Sequence, residues 1–435
     1  MPSETLMSLD SCYEYLRQMQ TLYHQATRRK DKSRLLDAME AATGYHRKYL
    51  IQKMGETIKR RPRQRERGHT YGPAVDAALR LIWQAHDYIC PERLSNATLL
   101  RTARVLARDE QLALPPSLEA QLAVISASTV RRHLPDPPPY KQAQRQQRRR
   151  QNLLQRHVPA KRIPWDIGAP GHLEVDLVHH CGRESRGEYV YTLQMLDVAT
   201  TWSARCAILG RSYVVVIDAF LTLFERIPFP IREVHPDNGS EFLNAHLARF
   251  LSQYHPEICF SRSHPRRPND NRYVEVKNRT LVRAYLGRAR LDTVAQTRYL
   301  NRIYELLDRY YNYLQPVLHL TSKAYQPATE ERAATVRRKH DEPRTPLDRL
   351  CQDPADQDLC APLRETQAAL NPLTLRQRIY AALKHLWTYP AADPQQPEDV
   401  YQTLAHPERF PAACAALDLT PVAPLNLTPD DEAFS

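Results

Sequence analysis

No stretch of about 18 consecutive apolar residues occurs in this chain, so a helix that crosses a membrane is not expected. The eight cysteines are scattered and form no C-x-x-C pair. A zinc ribbon and a disulfide framework are therefore both unexpected, and a reducing cytoplasm is the default compartment. The opening MPSETLMSLD is acidic and lacks the basic-then-apolar form of a signal peptide. No repeat period points to a solenoid.

What the chain does have is basic charge. Its 435 residues carry 61 Lys and Arg against 49 Asp and Glu, a formal net charge of +12. That excess points to a polyanion, nucleic acid before an acidic membrane. The length allows several domains, and 42% apolar residues suffice for real cores.

The placement of the charge says more than its sum. An amphipathic stretch from Ser8 to Arg29 and another from Lys32 to Ala42 precede TGYHRKYLIQKM, a Thr-Gly break followed by a short basic helix. This is a helix-turn-helix layout over residues 1–58, with Arg47, Lys48 and Gln52 as candidate DNA contacts. Residues 72–134 form a second helical unit of the same kind. In it Leu118, Leu122 and Val124 are expected in the core, Ser126 as an N-cap, and Ser128, Thr129, Arg131 and Arg132 on the recognition helix. Residues 135–164 are rich in Pro, Gln and Arg, with eight Lys or Arg and no acid between Asp136 and Asp166. They read as an interdomain linker whose Arg148, Arg149 and Arg150 would track phosphates in a salt-sensitive way.

From Trp165 the character changes to strand. Three segments rich in Val, Leu, Tyr and Thr (His172 to Gly182, Glu188 to Thr200 and Thr201 to Leu209) are joined by short turns and should be antiparallel neighbours. A helix, a fourth strand ending in IREVHPD, another helix, a fifth strand PEICFSRS and two long helices follow. The order implies a mixed five-stranded sheet with helices on its faces, over residues 165–325. A mostly helical C-terminal region is expected over 326–390, including TPLDRL and a helix with Pro372 in its first turn, and a Pro-rich, partly disordered tail over 391–435.

Three acids stand out. Asp176 lies within LEVDLV, Asp237 ends the fourth strand before Asn-Gly, and Glu275 lies on the helix NDNRYVEVKN. A charge inside an apolar strand is costly unless it is paired or holds a metal. If the first and fourth strands are neighbours, the two aspartates can meet and the glutamate helix can close over them. Three oxygen donors without a His or Cys cluster suit Mg²⁺ or Mn²⁺. Glu174 and Asp197 are also acids in or near strands, and an ordinary surface position is open to either. Asn271, Glu275, Asn278 and Arg279 share one helix face.

These segments resemble the retroviral-integrase-type core of insertion-sequence DDE transposases. The likeness is carried by EVDLVHHCG, HPDNGSEFLN and SHPRRPNDNRYVEVKNRTLVR, in that order. The resemblance implies an RNase H-like core, with Asp176, Asp237 and Glu275 holding two Mg²⁺ or Mn²⁺ ions. It implies double-stranded DNA as partner, both transposon ends and target, with cleavage that frees 3′ ends and then joins them to the target. A homo-oligomer on DNA, cytoplasmic and nucleoid-associated, is expected. Asn278, Arg279 and Arg283 are candidate DNA contacts. Many family members carry Lys or Arg seven residues after the glutamate. Here that position is Val282, and Arg283 follows. The alternative is a sequence-specific DNA-binding regulator whose integrase core is inactive, as in a domesticated or decayed element.

Overall fold

The computed structural model describes residues 9–58, 71–139, 141, 168–236, 245–261, 274, 277–326, 335–352, 357–396 and 398–410. They fall into two compact units, divided after Thr70.

The first unit is three helices, α1 (Leu9–Gln25), α2 (Arg29–Thr43) and α3 (Arg47–Met54), around Leu16, Leu36, Met39, Leu50 and Met54. Gly44 ends α2 at φ 68°, a left-handed conformation that glycine adopts without strain. His46 caps α3 by accepting from the Lys48 N–H. The break at Thr-Gly and the short basic helix are thus where the sequence puts them.

The second unit opens with α4 (Pro73–Ala85), α5 (Asn96–Arg108), α6 (Pro116–Val124) and α7 (Ala127–His133). Ser126 caps α7 as expected, accepting from Thr129 N–H. Val124 does not join the core: it is 74% exposed. Two residues on from Leu122, it points away from the buried face, and Ile125 fills that place instead.

The central sheet has the order β3-β2-β1-β4-β5. Its strands are β1 (His172–His179), β2 (Val190–Asp197), β3 (Ser203–Leu209), β4 (Glu233–Pro236) and β5 (Cys259–Phe260). β1, β2 and β3 pair antiparallel in sequence, while β4 lies parallel to β1 and β5 parallel to β4. Alternation along the strands divides the sheet's two faces. Leu173, Val175, Leu177, Leu193 and Met195 pack against α8 (Tyr213–Arg226) and α9 (Ala245–Tyr254). Val178, Val190 and Ala207 face α10 (Arg283–Leu286), which continues a π-helical turn at Asn278–Val282, and α11 (Val294–Arg309).

Beyond the sheet a two-stranded antiparallel ribbon, β6 (Leu320–Gln326) with β7 (Thr335–His340), precedes α12 (Pro346–Leu350), α13 (Gln357–Ala369) and α14 (Pro372–Leu386). The region is mostly helical, but the ribbon was not anticipated. β6 (LTSKAYQ) is mostly polar and β7 (TVRRKH) is basic, so they carry little of the usual apolar strand signature. Cys351 and Cys360, at the end of α12 and within α13, are disulfide-bonded. This local bridge, closed over nine residues, was not expected from the scattered cysteine spacing. Residues 398–410 pack back on the core: Asp218 accepts the Ala405 and His406 N–H groups, each at 2.8 Å.

One carboxylate ties distant parts of this unit together. Asp87, just after α4, has φ 55° and is 7% exposed. It accepts from Lys141 Nζ (2.5 Å), Arg376 Nε (3.1 Å), Tyr285 Oη (3.0 Å) and Tyr380 Oη (2.9 Å).

Candidate active site

β1 places Glu174, Asp176, Val178 and His180 on the face that meets the π turn, because side chains alternate along a strand. Asp176 is half-buried there. Its Oδ1 accepts the Leu177 N–H at 2.9 Å, and its Oδ2 accepts from Asn278 Nδ2. One turn before Asn278, the Val274 N–H donates to Glu174 Oε2 at 2.8 Å. Two residues that bracket position 275 are thus fixed to two acids of β1. Asp237 and Glu275 lie outside the described residues. The parallel pairing of β1 with β4 runs from His172↔Glu233 to Val175↔Pro236.

The two other acids in or near the strands, for which a surface position was open, are buried. Glu174 is 2% exposed and holds the Val274 amide; Asp197 is fully buried. Burial raises the Asp197 pKa, yet its carboxylate accepts from Gly171 N (2.8 Å), Thr200 N (2.7 Å) and Thr200 Oγ1 (2.7 Å), which stabilise the tight turn into β3. An acid at a strand end with Thr three residues on is the sequence signal for such a turn, and a lone acid in a strand resembles ordinary solvent-facing alternation.

Across the sheet from Asp176 lies a row of polar side chains. Asp176 pairs with Gln194 on β2, and Gln194 with Arg205 on β3. Gln194 and Arg205 are fully buried. Arg205 Nε donates to Asp308 Oδ1 at 2.8 Å, and its guanidinium lies over the rings of Tyr304 and Tyr311. Gln194 was missed from the sequence, although a lone amide inside YTLQML is the same kind of signal as Asp176 in its own strand. Burial, with Arg93, Arg205 and Arg349 adding like charge, pulls the Lys277 ammonium down to about 7. His180 hydrogen-bonds Thr192 Oγ1 (2.7 Å) behind the site, while His179 sits at Tyr189 Oη (3.1 Å).

The candidate DNA contacts are distributed as follows. Arg47 is engaged by Asp37 and by Ser33 Oγ (2.6 Å). Lys48 is exposed, and Gln52 Nε2 donates to Glu56 Oε1 at 2.9 Å. Ser128 and Arg132 are exposed on α7, Arg132 donating to Thr129 Oγ1 (3.1 Å), and Arg131 pairs with Glu92. Arg283 donates to the His179 carbonyl at 2.6 Å, which pins α10 to the end of β1. Arg279 is half-buried on the π turn. Arg148, Arg149 and Arg150 lie outside the described residues.

The mixed five-stranded sheet and the helices over it define a protein with an integrase/transposase-type, RNase H-like core. Residues 168–266 match the family model described as integrase core domain. The chain belongs to the family of an uncharacterized protein, y4rM of Sinorhizobium fredii (strain NBRC 101917 / NGR234), with which it is 34% identical over 316 residues, 72% of this chain and 87% of that protein. Solved structures that it resembles at low overall similarity include the magnesium-bound HTLV-2 integrase catalytic core domain in its dimeric form, at 19% identity and TM-score 0.26, covering 34% of this chain and 91% of that one. A simian T-cell lymphotropic virus intasome in complex with PP2A regulatory subunit B56 gamma matches at 13% identity and TM-score 0.29, covering 50% and 70%. The matched segment is the one that carries β1 to β5.

Proposed function

We propose that this protein is a DNA transposase. On this reading it binds the ends of a mobile element, cleaves to free their 3′ hydroxyls and joins them to target DNA, with Asp176, Asp237 and Glu275 holding divalent ions. The observation that carries the reading is the β1–β4 register. It ends at Val175↔Pro236, one residue before each aspartate. Continued by one pair, it would set Asp237 beside Asp176 on the same face. In the sequence Glu275 follows Val274, whose N–H meets Glu174, and precedes by three residues Asn278, which reaches Asp176.

The groups about Asp176 suit a hard cation. They are carboxylate and amide oxygens, and the buried Asn278 Oδ1 has no hydrogen-bond partner among the described residues. Bound Mg²⁺ or Mn²⁺ would neutralise charge on the scissile phosphate and acidify its water. The chain's own part is to place the carboxylates. Asn278 orients Asp176, Glu174 anchors the start of the helix segment and Arg283 anchors its end. Such fixed positioning supplies much of the catalysis in phosphoryl transfer.

The helix-turn-helix units would hold the ends, and an oligomer would bring two of them together. The test is cleavage and strand joining with Mg²⁺ on the DNA ends that flank the coding region. Asp176→Asn is expected to lower joining by roughly 10²–10³-fold while leaving end binding intact. Nicking without joining would make the protein a nuclease. Binding with neither step would make it a regulator.

A further inference from the structure

The polar row on the sheet contains an unusual member. Gln194 is fully buried, yet among the described residues neither Nε2 nor Oε1 has a hydrogen-bond partner. A buried amide left unmade at both ends costs free energy that evolution rarely tolerates without a use. Its place is informative. Gln194 is the direct cross-strand partner of Asp176, on the same face of the sheet. Directly opposed residues of an antiparallel pair stand about 4.5–5.5 Å apart at Cα. The other orphaned amide atom of the neighbourhood, Asn278 Oδ1, belongs to the residue that donates to Asp176 Oδ2. Two unsatisfied amide oxygens thus attend one carboxylate from two elements, β2 and the π turn.

We propose that Gln194 is a positioning residue of the metal site, its amide completed by water of a divalent cation held on Asp176, with Asn278 serving the same shell from the opposite side. The inference rests on the transposase reading for the identity of the site, and it adds residues outside the three carboxylates. A hydrated hard cation supplies what the amides lack. Its inner-sphere waters are strong donors for Oε1 and Oδ1, and groups that hold such waters orient the ligand set. The competing arrangement is internal: Gln194 Oε1 could turn to Arg205, its partner on β3, whose Nη1 is also without a hydrogen bond. The two arrangements predict opposite effects of removing the amide.

The experiment uses the full chain without DNA. Mn²⁺ binding is followed by the electron paramagnetic resonance signal of the free ion and by calorimetry, and unfolding is measured in chelator. Gln194→Leu is expected to unfold no more easily than the parent protein in chelator, since it removes an unsatisfied group. Its Mn²⁺ affinity should fall roughly tenfold. Gln194→Glu, which keeps an oxygen at the same reach, should bind Mn²⁺ at least as tightly as the parent. Loss of stability in chelator with unchanged Mn²⁺ affinity would assign the amide to Arg205 and overturn the proposal. Equal affinity in all three proteins would overturn it as well. Asp176→Asn is the control: if it binds Mn²⁺ like the parent, the carboxylate reading itself has failed, whatever Gln194 does.

Discussion

Asn278 shows how much can depend on one amide. It is 7% exposed, and its Nδ2 donates to the carboxylate of Asp176. The sequence places it on the glutamate face of the helix and makes it a candidate for touching DNA. The structure turns it inward, onto the acid. Asn278→Ala would free the Asp176 carboxylate to rotate. We expect a loss of roughly 10–100-fold in strand joining. Because the side chain is buried against Asp176, end binding measured by gel shift should be unchanged. His180 and His86 make a second case at this scale. Burial, aided by neighbouring arginine charge, pulls each imidazole down from 6.5 to about 3. The unfolded chain therefore takes up protons that the native state refuses. The contribution of these two histidines is flat above about pH 6.5 and is lost as pH falls toward 3, by about 2 kcal/mol per histidine at pH 5. Urea unfolding at pH 7 and 5 checks this, with Thr192 and Thr102, the hydroxyl partners, left intact.

At the scale of elements, the approach of β4 to β1 is the step on which the site depends. Gly171 opens it. Its φ is 112°, and a Cβ there would stand 2.6 Å from the Pro230 carbonyl. Its own carbonyl accepts from Arg232 N at 2.8 Å and Glu233 N at 3.0 Å, which starts the parallel pairing. Gly171→Ala should cost about 2 kcal/mol or more, seen as a lower urea midpoint, through left-handed strain and displacement of β4. Much of this level could be read from residues. The β-branched and aromatic runs marked β1, β2 and β3, and the short turns between them gave their antiparallel order. The helix expected after the fourth strand is α9, which buries Leu247 and Leu251. The candidate site was legible as three acids in order, because a carboxylate in an apolar strand is rare enough to notice. Its support was not. That Glu174 holds the Val274 amide, or that Gln194 faces Asp176, depends on register and on a helix arriving from another part of the chain. Val124 was misplaced because a short helix offers too few turns to fix its buried face. The β6–β7 ribbon was hidden by the polar composition of β6 and the basic composition of β7.

At the scale of the whole molecule, charge and connection set the behaviour. The formal charge of +12 is joined to a linker with no acid between Asp136 and Asp166. If DNA is tracked along several phosphates at once, affinity must depend steeply on salt. A contact set of six to ten phosphates loses about 10³–10⁵-fold between 50 and 200 mM salt. Fluorescence anisotropy with an end-containing duplex and a scrambled one measures the slope. We expect similar slopes for both, with the separation between them due to the helix-turn-helix units. No helix among the described residues is long and apolar enough to cross a membrane.

The same scale governs how the second unit can be dissected. Asp87 draws on a lysine after α7, a tyrosine of α10, and an arginine and a tyrosine of α14. A chain that stops before residue 371 would strand this carboxylate without two of its four donors, in a place water scarcely reaches. The helical block, the glutamate helix and the last long helix are in that respect one inheritance. Anyone seeking a minimal catalytic fragment should therefore cut outside α14, or neutralise Asp87 first.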